Sequence, residues 1–257
     1  MKKIFFCSDF HFGIPGIESS KEREKLFLDW LKLHRIQMDA LYVVGDLFDF
    51  WFEYKSVVPK GGIRVLSALA ELNDSGIPIH LFSGNHDQWM LGYFQDELGI
   101  SVYHDPIRVT LQGKKLLIGH GDGLGPGDQG YKFIKKIFRH SFSRRLFSAI
   151  PPGMGIPIAR YWSGASRSKG VKENIFLGSE KEWLIQYCKQ QVTKHANDVD
   201  YFIFGHRHLP IDWRLTDGSR YINLGDWLKF HSYAVLENGN LALEFYKSTA
   251  MDINKNY

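Results

Sequence analysis

The chain has 257 residues, 44% of them hydrophobic, and carries 32 basic and 28 acidic residues for a net charge of +4 at pH 7. That length and apolar content suit one large domain or two small ones with an ample core. No stretch approaches the roughly 20 apolar residues that a membrane-spanning helix needs, and two cysteines, Cys7 and Cys188, give no disulfide framework, so a reducing compartment is expected. The N-terminal run reaches Asp9 too soon for a signal peptide. A cytoplasmic protein, or one bound to a membrane from its cytoplasmic side, is the expectation.

Residues 2–7 (Lys-Lys-Ile-Phe-Phe-Cys) form a β-type apolar run, and Lys21 to Leu33 carries Leu26, Phe27, Trp30 and Leu31 at helical spacing. A strand is expected over 40–44. An aromatic loop follows (Phe48, Phe50, Trp51, Phe52 and Tyr54), fit either to line an apolar pocket or to pack in the core. A helix over 62–75 and a strand over 78–82 come next, and this alternation argues for a sheet covered by helices. Short strands are expected at 106–111 and 114–118. Residues 180–196 read as a helix and 200–204 as a strand. Antiparallel strands are expected at 211–215, 219–224, 232–236 and 241–246, with turns at Asp217-Gly218 and Asn238-Gly239. The tail 248–257 is polar.

Residues 123–175 stand apart. No acidic residue lies between Asp128 and Glu173, whereas ten basic ones do: Lys132, Lys135, Lys136, Arg139, Arg144, Arg145, Arg160, Arg167, Lys169 and Lys172. Without them the chain has 22 basic against 28 acidic residues, so its positive charge belongs to this segment. Ile134, Phe138, Phe142, Leu146 and Ile150 recur every four residues, an apolar stripe on a basic helix or helix pair. Such an element suits an anionic membrane surface, a cover over a greasy anion, or a packed helix with a solvated basic face. The acidic balance elsewhere argues against nucleic acid. The run Ile150-Pro-Pro-Gly-Met-Gly-Ile-Pro157 is expected to break the helix, with a second helical run from Ile158 toward Ser166. Two helices on such an elbow would make a lid.

Five polar clusters each follow an apolar run: Ser-Asp9-Phe-His11, Gly-Asp46-Leu-Phe-Asp49, Gly-Asn85-His86-Asp87, Gly-His120-Gly-Asp122 and Gly-His206-Arg-His208. Five strands are therefore expected to end at one place. Carboxylate, amide and imidazole donors without thiolate suit manganese, iron, zinc or magnesium rather than a structural zinc site. Asp9, His11, Asp46, Asn85, His120, His206 and His208 are seven donors, a natural count for two divalent ions sharing one carboxylate. Two such ions can activate a water and clamp an in-line displacement at phosphorus. Asp49, Asp87 and Asp122 lie beside these donors, as partners that orient them or as ordinary turn carboxylates.

The ordered set Asp-x-His, Gly-Asp-x-x-Asp, Gly-Asn-His-Asp, Gly-His-Gly-Asp and Gly-His-x-His resembles the calcineurin-like metallophosphoesterase superfamily. That resemblance implies an α+β fold: an αββα sandwich, two mixed sheets flanked by helices, over residues 1–247, with residues 123–175 inserted as a helical lid. It places Asp9, His11 and His208 on one metal and Asn85, His120 and His206 on the other, with Asp46 bridging. The segment Gly121-Asp-Gly-Leu-Gly-Pro-Gly-Asp128-Gln-Gly-Tyr131, the helix after it, and Ile158-Ala159 to Ser166 resemble the UDP-2,3-diacylglucosamine diphosphatases. These cleave a pyrophosphate to UMP and a lipid monosaccharide phosphate in lipid A synthesis, with manganese, at the inner face of the bacterial inner membrane. The match implies substrate contacts from Asn85, His86, Asp128, Tyr131, Ser166, Lys169 or Lys172, and His206. No nucleic acid and no obligate protein partner are expected. Asn85 and His86 would act on the reacting phosphate. His86 stands where the best-known branch has arginine; it can donate a proton where arginine only neutralises charge. A phosphomonoesterase or phosphodiesterase, a nuclease, and a non-catalytic interaction protein are the alternatives.

Overall fold

Strands covered on both faces need apolar residues throughout, and Ile4, Phe5, Phe6 and Cys7 are all buried. They belong to the first strand of a computed structural model that describes residues 2–14, 20–127, 129–169, 175–194 and 198–247, with the backbone alone at 165–169. The sandwich is α+β. One sheet has six strands in the order β11-β10-β1-β2-β3-β4, and the other has five in the order β5-β6-β7-β9-β8. In the first, β1 (Lys3–Cys7), β2 (Met38–Val44), β3 (Ile79–Phe82) and β4 (Ser101–Tyr103) run parallel, with β10 (Ser232–Glu237) and β11 (Asn240–Phe245) antiparallel at one edge. In the second, β6 (Lys114–Gly119), β7 (Tyr201–Phe204) and β9 (Arg220–Leu224) are parallel, with β5 (Ile107–Leu111) and β8 (Pro210–Arg214) antiparallel outside them.

Strand alternation divides the core. Ile4, Phe6, Tyr42, Val44 and Phe82 meet Ile118, Ile203 and Ile222 between the sheets. The opposite face of the first sheet (Phe5, Cys7, Leu41, Val43) packs on Phe27 and Trp30 of α1 (Ser20–His34) and on Val65 and Leu69 of α2 (Ile63–Asp74). The outer face of the second sheet (Leu117, Phe202, Phe204) packs on Leu184, Ile185 and Cys188 of α7 (Trp183–Lys194). Both cysteines are buried free thiols.

Most elements fall within one to three residues of expectation, with three differences. A short helix, α3 (Tyr93–Leu98), and the edge strand β4 have no counterpart in the sequence reading; both are too short to show a period. The basic segment forms three helices, α4 (Gln129–Arg139), α5 (Ser141–Ser148) and α6 (Pro152–Lys169). The chain breaks at His140, whose backbone is extended and whose Nδ1 accepts from Phe142 N as an N-cap. Residues expected to form the elbow instead open α6, and Pro157 lies inside it. The four-residue stripe is accordingly not one buried face. Phe142 and Leu146 are more than 60% exposed, and Phe147 is the side chain that anchors the insert. It packs against Phe52 and Trp89 at ring distances of 4.7 and 4.9 Å. Trp89 Nε1 also donates to the Phe138 carbonyl at 2.8 Å. The aromatic loop is thus largely packing: Phe48 and Trp51 sit in the core below, and Phe52 sits under the insert. The tail 248–257 lies outside the described residues.

Candidate metal centre

The five candidate clusters leave the C-terminal ends of β1, β2, β3, β6 and β7, all parallel strands, so both sheets deliver to one edge. Backbone bonds lock the loops together. Asp9 N donates to Gly45 O at 3.1 Å, His11 N to Asp46 O at 2.9 Å, and Gly205 N to His120 O at 2.9 Å. Each central carboxylate spends one oxygen on the backbone. Asp46 Oδ1 accepts from His86 N and Asp9 Oδ2 from His206 N, both at 2.9 Å.

The other two oxygens, Asp9 Oδ1 and Asp46 Oδ2, are buried and make no hydrogen bond. Their polar neighbours are imidazoles: His208 Nε2 lies 3.3 Å from Asp9 Oδ1, and His120 Nε2 and His11 Nε2 lie 3.2 and 3.6 Å from Asp46 Oδ2. Two donor sets meet at Asp46, Asp9-His11-Asp46-His208 and Asp46-His120-His206, each with its donor atoms within 4.8 Å of one another, and a third group, His11-Asp49-His86, lies beside the first. Asp46 belongs to both. Asn85 Oδ1 joins the second set, 3.2 Å from His120 Nε2. All seven predicted ligands therefore converge.

The cluster calls for positive charge. Burial pulls the His120 imidazole down, but the Asp46 carboxylate outweighs it and pushes the group up to about 10. His208 is likewise lowered by burial but raised by Asp9 and Asp226, to about 9. His206, buried beside charged His120, is pushed down to about 3. Unbonded buried carboxylate oxygens are costly, and paired cations would satisfy both. The residues present fit two divalent ions.

Ring orientation is fixed from behind, as metal-binding imidazoles require. His120 Nδ1 donates to the Val44 carbonyl at 2.9 Å, and His208 Nδ1 to Asp226 Oδ2 at 3.3 Å. Asp226 was missed in the sequence, although Asn-Leu-Gly225-Asp226 repeats the strand-glycine-carboxylate pattern of the other clusters. Glycines make room for the ligands. A Cβ on Gly84 would lie 2.1 Å from Asp46 Oδ1, and one on Gly205 would lie 2.5 Å from Asp9 Oδ2. Asp9, His11, Asp46, His206 and His208 all have left-handed backbone, with φ between 47° and 67°, a strain that clusters at functional sites.

The neighbouring carboxylates divide. Asp87 serves a turn, accepting from Gly84 N at 2.7 Å and Phe48 N at 3.2 Å. Asp49 and Asp122 meet the insert. Asp122 accepts from Tyr131 OH at 2.7 Å and pairs with Lys135 Nζ at 2.5 Å. Ser163 of α6, which the sequence did not single out, donates to Asp49 Oδ1 at 2.9 Å and lies 2.7 Å from His86 Nδ1. Arg207, between the two ligand histidines, is buried against Glu182 (Nε to Oε2, 2.9 Å) and also donates to the Ile175 carbonyl. Of the expected substrate contacts, Asp128 and Lys172 and the side chains of Ser166 and Lys169 lie outside the described residues.

The fold and this centre define a phosphoesterase, and the chain belongs to the calcineurin-like phosphoesterase family, whose sequence profile matches residues 2–210. It is 39% identical over 254 residues to the UDP-2,3-diacylglucosamine hydrolase of Porphyromonas gingivalis, covering 94% of this chain and 97% of that one. It is 31% identical over 210 residues to the enzyme of the same name from Aeromonas hydrophila, covering 80% and 84%. A solved archaeal phosphodiesterase aligns over 95% of this chain and 99% of its own at 13% identity, with a TM-score of 0.49.

Proposed function

We propose that the protein is a two-metal hydrolase that cleaves the pyrophosphate of UDP-2,3-diacylglucosamine, releasing UMP and 2,3-diacylglucosamine 1-phosphate for lipid A synthesis. The observation that carries this reading is the pair of donor sets sharing Asp46 beneath a basic, apolar three-helix insert. Asp9, His11, Asp46 and His208 would hold one ion, and Asp46, Asn85, His120 and His206 the other. Bound there, two divalent ions, manganese in the first place and otherwise iron, zinc or magnesium, supply an activated water and neutralise charge at phosphorus. Asn85, His86, Tyr131 and His206 would contact the substrate, joined by Asp128, Ser166 and Lys169 or Lys172 from the insert.

His86 stands at the edge of the centre, its ring 4.7 Å from that of His11. Ser163 and the Asp49 carbonyl hold its Nδ1 at 2.7 and 3.2 Å. That grip orients the ring so that Nε2 donates to the leaving oxygen as the bond to phosphorus breaks. His86→Ala is expected to lower turnover about 10²–10³-fold and to leave two metals per chain. Loss of metal in that variant would make His86 a ligand instead. Ser163→Ala should lower turnover less, with metal content unchanged.

The insert supports a lid that meets the membrane. Phe133, Ile134, Ile137, Phe142 and Leu146 are exposed on α4 and α5 among the basic residues, a combination suited to an anionic bilayer surface. No helix among the described residues is long and apolar enough to cross a membrane. Peripheral attachment at the cytoplasmic face of the inner membrane is the corresponding proposal.

The deciding experiment is turnover of UDP-2,3-diacylglucosamine by manganese-loaded protein in oxygen-labelled water, followed by phosphorus NMR. Label in UMP with unlabelled lipid phosphate is the expected result. A second reading, hydrolysis of phosphate mono- or diesters, is favoured by His86, because an alkoxide leaving group needs the proton that histidine can give. Brisk release from simple phosphate esters without cleavage of the nucleotide lipid would establish it.

A further inference from the structure

Beside the centre lies a cavity of about 360 Å³ that the ligand assignments leave unused. That volume falls within the range of small-molecule pockets, about 300–1,000 Å³. Its lining includes the buried His120 and Asp122 together with Phe82, Ser83 and Pro106. α4 lines it through Lys132, Lys135, Lys136 and Arg139. The spacing of these four, i, i+3, i+4 and i+7, puts them on one face of the helix. Phe133, Ile134 and Ile137 point elsewhere and are exposed.

The cationic wall is prearranged. Lys132 Nζ donates to the Gly125 carbonyl at 2.5 Å, Lys135 pairs with Asp122 at 2.5 Å, and Arg139 pairs with Asp105 at 2.6 Å. Lys136 makes no ion pair among the described residues. Four cations face two carboxylates, Asp105 and Asp122, so the lining keeps an excess of two positive charges. Pro106 and Leu124, both half-buried, add apolar surface beside the exposed amide of Gln129. Fixed cations beside an apolar wall suit a phosphate joined to a less polar ring.

We propose that this cavity is the subsite for the nucleotide half of the substrate, a pyrimidine nucleoside monophosphate, and that α4 sorts the substrate's two ends. The phosphate and base lie against the cationic face beside His120, and the acyl chains lie toward the helix's apolar side. This rests on reading the chain as a hydrolase of a nucleotide-linked lipid. Both products of that reaction carry a phosphate monoester, so the test must separate them.

The experiment is equilibrium binding of UMP, and separately of 2,3-diacylglucosamine 1-phosphate, to the full-length manganese-loaded protein and its variants. Lys136→Glu is expected to raise the Kd for UMP at least tenfold and to change that for the lipid phosphate less than twofold. Lys32→Glu, an exposed charge change in the last turn of α1, should leave both unchanged. No measurable UMP binding by the wild type, an unchanged UMP Kd in Lys136→Glu, or equal weakening of both ligands overturns the subsite. A wild type that cleaves the nucleotide lipid while UMP ignores Lys136 sinks the subsite and keeps the substrate assignment. A wild type that fails to cleave it, yet binds UMP through Lys136, sinks the assignment and keeps the subsite.

Discussion

Replacing Asp46 with alanine is expected to empty both metal sets at once. Metal content should fall from two ions per chain to less than one, and turnover should drop about 10⁴-fold or more. Asp46 is 1% exposed and stands in both donor sets. Its Oδ2 faces His11 and His120, while its Oδ1 holds the backbone of His86. Two neighbouring carboxylates are not placed to replace it: Asp87 is committed to a turn, and Asp49 lies on the far side of His11. The metal-free variant offers a second readout. His120 is lowered by burial and raised by Asp46; an NMR titration of the metal-free proteins should therefore find it lower without Asp46 than in the parent. Full turnover with fewer than two metals would show that the shared carboxylate is dispensable.

Glu182→Ala should cost about 3–5 kcal/mol of stability, read as a lower urea midpoint at unchanged slope. The size follows from what is left behind. Arg207 and Glu182 are each 1% exposed and doubly bonded, Nε to Oε2 at 2.9 Å and Nη2 to Oε1 at 3.1 Å. Among the described residues, removing the carboxylate leaves the guanidinium facing Trp183, 5.6 Å from it, and the Ile175 carbonyl. Pairing the change with Arg207→Met should recover most of the loss, since an apolar pair leaves no buried charge unmet. Because Arg207 separates His206 from His208, metal affinity should weaken in the single variant as well. A loss below about 1 kcal/mol would mean that the pair is not held as drawn.

The centre was legible because it obeys a simple grammar. Each candidate cluster follows an apolar strand and a residue small enough to let the neighbouring loop close in, so apolar runs marked where donors would converge. Asp226 obeys the same grammar after β9 and could have been found. Ser163 could not: it reaches His86 only because α6 crosses the centre, and nothing local in Tyr-Trp-Ser-Gly signals that crossing. The insert misled for a related reason. Apolar spacing of four residues looks like a continuous helix, but the break at His140 turns the stripe, so Phe147 packs on Trp89 while Phe142 faces outward. With six residues in α3 and three in β4, neither offers enough positions for a period to emerge.

The left-handed backbone at the ligands sets stability against activity. At an ordinary position glycine is less stable than alanine; at φ of 57° the order should invert, with Asp9→Gly about 1 kcal/mol more stable than Asp9→Ala. The same holds for His11, Asp46, His206 and His208. At each of these positions a substitution to glycine should therefore cost the fold less than one to alanine, whatever it does to metal binding.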